Sequence, residues 1–205
     1  EILRCLVGSE MCIRDSIHPS MPVLYLSSGQ ESSICTDLLE TIIVSDVRSF
    51  AQDPRFCLSV MAEIACRALS PAVNDPGTAI DVIGRGVRIL SAYAQNKIDE
   101  TEVIYPSVHV APLQIKDLLE DFFLPVARDG ASMREIQIRV LKGLSMLSKG
   151  WPGMFAEAAH ILASETLEHA TRTGHIAHDE YLIKSIYYNL FSGENPKEGA
   201  NKFLI

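Results

Sequence analysis

The sequence predicts a mainly α-helical bundle around two central helices, at about 54–69 and 76–97, with a short β element near 21–26 and an extended segment near 105–111. Three observations carry this. Asp-Pro occurs twice, at Asp53-Pro54 and Asp75-Pro76, each time ahead of a long, largely apolar run. Within both runs the charged and hydroxyl residues recur at spacings of three and four, the period of a helix. A further stretch, Ala131 to Lys149, has its apolar residues at helical spacing as well.

Taken in order, Met21 to Leu26 (MPVLYL) reads as a short strand and Ser27 to Ser33 as a loop. Thr36 to Val44 reads as a short helix or helix-to-strand segment that Thr36 can cap. Asp53 suits an N-cap, where its carboxylate accepts from a free N–H of the first turn, and Pro54 loses nothing at the next position. The helix that follows carries Arg55, Ser59, Glu63 and Arg67 in one narrow stripe, with Glu63 and Arg67 in favourable order for an ion pair. So narrow a polar stripe predicts a helix buried on most sides. Pro71 ends it, because the residue before a proline disfavours helical geometry. The second central helix starts at Asp75-Pro76 and carries Thr78, Asp81, Arg85 and Arg88 on its polar side.

Beyond it, Asn96 to Glu102 is a polar loop, and Tyr105 to Val110 alternates as an extended segment does. Pro112 opens a helix through Phe123 with Leu113, Leu118, Leu119, Phe122 and Phe123 inward, and Pro125 is expected to interrupt or kink it. Met133, Ile136, Val140, Leu144 and Leu147 form the buried stripe of the helix after it, which stops at Lys149-Gly150. Pro152 opens another helix to about Thr173, ended by Gly174, and His178 to Phe191 forms a last one. The polar tail from 193 to 205 reads as loose.

The central stretch also resembles a known family. RALSPAVNDPGTAIDVI, preceded by AQDPRF, is similar to the signature of a bacterial family of predicted integral membrane proteins catalogued as domain of unknown function 2254. A weaker likeness runs through YPSVHVAPLQIKDLLEDFFLPVARDG and MREIQIRVLKGLSML, so it covers roughly Val23 to Leu147. This chain departs from the family pattern at Cys57, where glycine is usual, and at Gly86, near Arg85, where a bulky apolar residue is usual. The resemblance implies transmembrane helices upstream of this region and, with them, a partner in the protein's own membrane segments. It implies no established activity, ligand or catalytic residue.

The formal net charge of −8 excludes a general nucleic-acid binder, which needs a basic footprint. No run of 18 apolar residues exists, so nothing in this sequence reads as a transmembrane helix. Leu6 to Ser16 (LVGSEMCIRDS) matches the in-frame translation of a transposase-type sequencing adapter, and residues 1–16 are therefore set aside as not native. On that reading the gene is truncated upstream, residues 17–33 are the remnant of a small β element and its loop, and 34–192 form the helical domain. The cysteines beyond the leader, Cys35, Cys57 and Cys66, have neither disulfide-framework nor zinc-site spacing. They favour a reducing, cytoplasmic side for this region.

The strongest site is the corner Asn74-Asp75, where two helix ends and the charges Glu63, Arg67, Asp81 and Arg85 can converge on a small ligand or anion. The plainer alternative is a set of caps and ion pairs, with Asp75 itself occupying the helix N-terminus. His160, His169, His175 and His178 show no metal-ligand spacing. No nucleophile elbow exists, and Gly84-Arg85-Gly86 lies inside a helix rather than in a phosphate loop, so close helix packing explains it better. The sequence thus names no catalytic residue, metal or cofactor. It leaves two functions open: a structural or regulatory extramembrane module, in which self-association is a further partner, and a ligand-binding domain or enzyme using the acidic corner.

Overall fold

The computed structural model describes residues 5–6, 25–26, 50, 53–96, 108–109 and 113–192. The chain divides into two compact units, Glu1–Pro54 with Ile98–Leu113, and Arg55–Lys97 with Gln114–Ile205.

The first unit holds a three-stranded sheet of order β2-β1-β3, formed by β1 (Cys5–Leu6), β2 (Tyr25–Leu26) and β3 (Val108–His109). β1 pairs antiparallel with β2 (Cys5 opposite Leu26) and parallel with β3 (Cys5 opposite Val108). The described residues of the β element expected near 21–26 and of the extended segment near 105–111 are thus strand, and β1, inside the stretch 1–16 that was set aside, lies between them. The helix expected at 36–44 and the tail from 193 lie outside the described residues.

The second unit is a helical bundle, so the fold is mainly α as expected. Its helices are α1 (Pro54–Leu69, begun at the unit boundary), α2 (Pro76–Gln95), α3 (Ile115–Asp129), α4 (Arg134–Gly150), α5 (Pro152–Thr173) and α6 (Ala177–Tyr187). A five-residue π-turn, Tyr188–Ser192, continues α6. Pro54, Pro76 and Pro152 each open their helix, where a missing N–H costs nothing. α5 stops at Gly174, whose φ of 78° is a left-handed cap that glycine adopts without a Cβ clash.

The helix with the most neighbours is α4, rather than either of the two central helices the sequence pointed to. It packs on α2, α3, α5 and α6. Its Ile136, Val140, Leu141, Leu144 and Leu147 are fully buried, against the equally buried Phe122, Phe123 and Phe155. α2 reaches this core through two close approaches. Gly86 lies under the Phe122 ring, and a Cβ built on Gly143 of α4 would meet Val87 Cγ2 at 3.0 Å. Of the two glycines read as packing residues, Gly86 is one; Gly84 has open space where a Cβ would be.

Two expectations need correction. Pro125 does not end α3, which runs through it to Asp129. The flanking Phe122, Phe123, Val126 and Ala127 are all fully buried, and that burial outweighs the roughly 3 kcal/mol that an interior proline costs. Nor is α1 buried on most sides. Leu58, Ser59, Ala62, Ala65, Ala68 and Leu69 form one buried face, while Met61 is half-buried and Ile64 is 49% exposed.

Candidate functional site

The α1–α2 corner is built by backbone hydrogen bonds. The N–H groups of Val73 and Asn74 donate to Ser70 O at 3.0 and 2.8 Å, and Asp75 N–H donates to Ala68 O at 2.8 Å. Asn74 takes the left-handed conformation (φ 49°), which a short amide side chain tolerates better than most residues. The chain is thereby aimed so that Asp75 caps α2. Asp75 Oδ1 accepts from Thr78 N–H at 3.1 Å and Oδ2 from the Thr78 hydroxyl at 2.5 Å. The Thr78 hydroxyl, then the Thr78 N–H, hold the Asp75 carboxyl below its usual value.

The six residues expected at the corner all lie on the surface. Glu63, Arg67, Asn74, Asp75, Asp81 and Arg85 are all exposed. Asp81 pairs with Arg85 at 2.7 Å along the outside of α2. No Glu63–Arg67 ion pair forms among the described residues. Ser70, the elbow serine, donates its hydroxyl to Arg67 O at 2.7 Å.

The concave feature nearby is a different one: an open groove of about 500 Å³ between α1 and α2. Met61, Ile64, Val82, Ile89 and Ala92 line it, together with Arg85 and Arg88. Only Arg85 of the six expected residues reaches it. A signal was present in the sequence, since Ile64 and Ile89 each follow a charged stripe residue and so sit at the border of the polar face.

Sequence reasoning also missed a charged clamp. Arg55 Nε donates to Asp121 Oδ2 at 2.7 Å, and its Nη1 to Asp117 Oδ2 at 2.8 Å, joining α1 to α3. The Arg55 and Asp121 side chains are only 14% and 6% exposed. Asp117 and Asp121 are four apart and so share a helix face; that spacing was the available clue. At the far end of the same two helices, the Cys66 thiol is pushed up from 9.0 to about 12, first by burial and then by its hydrogen bond to Asp129.

Two of the histidines serve contacts elsewhere. His175 Nε2 lies 2.8 Å from Ala131 O, tying the α5–α6 link to the α3–α4 turn, and His160 meets Phe191 edge-on at 6.0 Å. Among the described residues no group of three His, Cys, Asp or Glu side chains is placed to hold a metal ion. No helix among them is long and apolar enough to cross a membrane.

Fold and site together define a helical bundle with a capped acidic corner, a charged clamp and an open apolar groove. The chain belongs to the bacterial family described as predicted membrane protein (DUF2254), whose pattern it matches over residues 5–146. It is 61% identical over 36 residues to "Uncharacterized protein Mb1321c" of Mycobacterium bovis and to "Uncharacterized protein Rv1290c" of Mycobacterium tuberculosis. That segment is 18% of this chain and covers 7% of each relative's length. No solved structure matches the chain.

Proposed function

We propose that this region is a structural or regulatory extramembrane module, coupled to the transmembrane portion of a longer bacterial membrane protein and lying on its cytoplasmic side. The observation that carries this reading is the state of the acidic corner. The groups that a ligand or reaction would need there are spent on local structure: Asp75 on Thr78, and Arg85 on Asp81. A bound anion would need the α2 N-terminus, and the Asp75 carboxylate already takes its Thr78 N–H. The family description supports the membrane context. The free thiols of Cys57 and Cys66 support a reducing side.

The alternative is a small-ligand or anion-binding domain, or an enzyme, working at Asn74-Asp75. Calorimetric titration of the purified chain with phosphate, sulfate and small carboxylates separates the two. The module reading expects no saturable heat. Saturable binding that disappears in Asp75→Ala, with the melting curve little changed, would replace it with the alternative. For the membrane context, a fluorescent-protein fusion at the C-terminus of the full-length protein should glow in the membrane fraction. A phosphatase fusion at the same point that is active instead places the domain outside.

A further inference from the structure

The α1–α2 groove joins apolar surface to charge of one sign. Ile64 on α1 is 49% exposed and Ile89 on α2 is 42% exposed, and both line it. The charges in its lining are two arginines, Arg85 and Arg88; the acids of the same helices, Glu63 and Asp81, are not part of it. Arg85 and Arg88 are three apart and so share a side of α2. Asp81 holds Arg85 at 2.7 Å, but that pair is exposed, and such a pair yields readily to a second anion. Arg88 forms no ion pair among the described residues.

An occupant that complements this lining carries negative charge beside an apolar part. The two walls differ in length. On α2 the lining runs from Val82 to Ala92, about 15 Å, whereas α1 contributes only Met61 and Ile64, a single turn. A helix lying in the groove would need apolar anchors over several turns, and α1 supplies one. A phosphate with an acyl chain behind it needs only an anion site next to one apolar strip. We propose that the groove docks an anionic phospholipid of the bilayer surface, with the phosphate on Arg88 and Arg85 and the upper part of an acyl chain on Ile64 and Ile89. The planar guanidinium fork suits phosphate oxygens. Tyr93, exposed and four residues beyond Ile89, extends the strip with a side chain that favours the headgroup level. The net charge of −8 opposes approach to such a surface, but charges more than about 8 Å away are largely screened at physiological salt, so those in the groove decide. This inference rests on the membrane-coupled module reading and names the surface on which the module lies.

The test is flotation of the purified 205-residue chain with vesicles of phosphatidylcholine alone and of phosphatidylcholine mixed with phosphatidylglycerol. Saturable binding to the anionic vesicles alone is expected. Arg85→Gln and Arg88→Gln should each weaken it about fivefold. Ile64→Ser/Ile89→Ser should weaken it about tenfold or more. Arg172→Gln makes the same charge change on α5, outside the groove, and should bind as the parent does. Circular-dichroism melts check that each variant is folded; should the isoleucine variant misfold, the arginine series still decides. No binding, equal binding to both vesicles, or an Arg172→Gln chain as weak as Arg88→Gln overturns the proposal, as does a folded isoleucine variant that binds like the parent. Saturable binding of an acidic amphipathic peptide by a chain that ignores both vesicles would overturn it in favour of a protein partner. The two readings fail separately. A chain that ignores vesicles leaves the fusion result in the membrane fraction untouched, and a fusion found outside that fraction removes the module reading whatever the vesicles show.

Discussion

Gly84 and Gly86 sit two residues apart on α2, yet alanine should act oppositely at the two. At Gly86 a new Cβ would fall within 3.0 Å of three ring carbons of Phe122. Carbon atoms are comfortable at about 3.5–4.0 Å, so the ring has to withdraw by on the order of 1 Å. It has little freedom to do so. Phe122 is fully buried, and its edge contact with the equally buried Phe123 has a centroid distance of 4.8 Å. Overpacking of this kind costs about 1–3 kcal/mol, and the tightness here argues for the upper end. Alanine recovers about 1 kcal/mol of helix propensity, which leaves a net loss of about 2 kcal/mol. For a chain of this size that is a fall of about 4–8 °C in melting temperature. At Gly84 nothing lies within 4 Å, so the propensity gain stands alone and Gly84→Ala should raise the melting temperature by about 2–4 °C. Thermal melts followed by circular dichroism, with urea midpoints as a second readout, measure both. Gly86→Ala/Phe122→Leu should regain part of the loss by making room. A Gly86→Ala protein as stable as the parent would mean that α2 does not lie against α3 as described.

Asp75→Ala should lower the melting temperature through loss of the α2 cap, and Asp75→Asn should lower it less. The Asp75 carboxyl is held below its usual value, so its contribution is complete above the unfolded value near 3.8 and fades as pH falls through the lower folded value. The melting difference between parent and Asp75→Asn should therefore shrink in strong acid, and one that is constant from neutral pH downwards would contradict the Thr78 bonds. The Cys66 thiol, pushed up to about 12, should be alkylated at pH 8 more slowly in the folded chain than in urea, by about tenfold or more, the smaller thiolate fraction outweighing its greater nucleophilicity. Equal rates by mass spectrometry would remove Cys66 from its half-buried place beside Asp129. Arg55→Met should destabilise by about 3 kcal/mol in urea titrations, because it leaves the buried Asp121 without its guanidinium, and Arg55→Met/Asp121→Leu should recover much of that. A single variant as stable as the parent would show the clamp to be idle.

The parts of the fold legible in the sequence are those decided within a few residues of chain. α1 occupies the predicted Pro54–Leu69, and α5 runs from Pro152 to the left-handed Gly174, because proline at a helix start and glycine past its end act locally. The Asp75 cap was legible for the same reason. The candidate site was not, because convergence of Glu63, Arg67, Asp81 and Arg85 depends on how α1 and α2 are rotated about their own axes. A spacing of four says that residues share a stripe; it does not say whether the stripes of two helices face each other or the solvent. Here the small residues Ala62, Ala65 and Ala68 turned inward on α1. That rotation left Glu63 and Arg67 in water and put Ile64 at the groove.

Pro125 shows the same division from the other side. Proline has no N–H, so the carbonyl of Asp121 has no helical donor four residues on, and local reasoning rightly marks a break. What keeps α3 whole lies at distant positions in the chain. Val126 and Ala127 just past the proline are fully buried, as are Phe122 and Phe123 just before it. Arg55, 66 residues away from Asp121 in sequence, holds the side chains of Asp117 and Asp121, on the turn that leads into the missing backbone bond. The clamp therefore does more than join two helices. It grips α3 at Asp121, the residue whose carbonyl lacks its helical donor, so loosening Arg55 should be felt first in the segment from Asp117 to Asp129 rather than in α1, where the buried alanine face is unaffected.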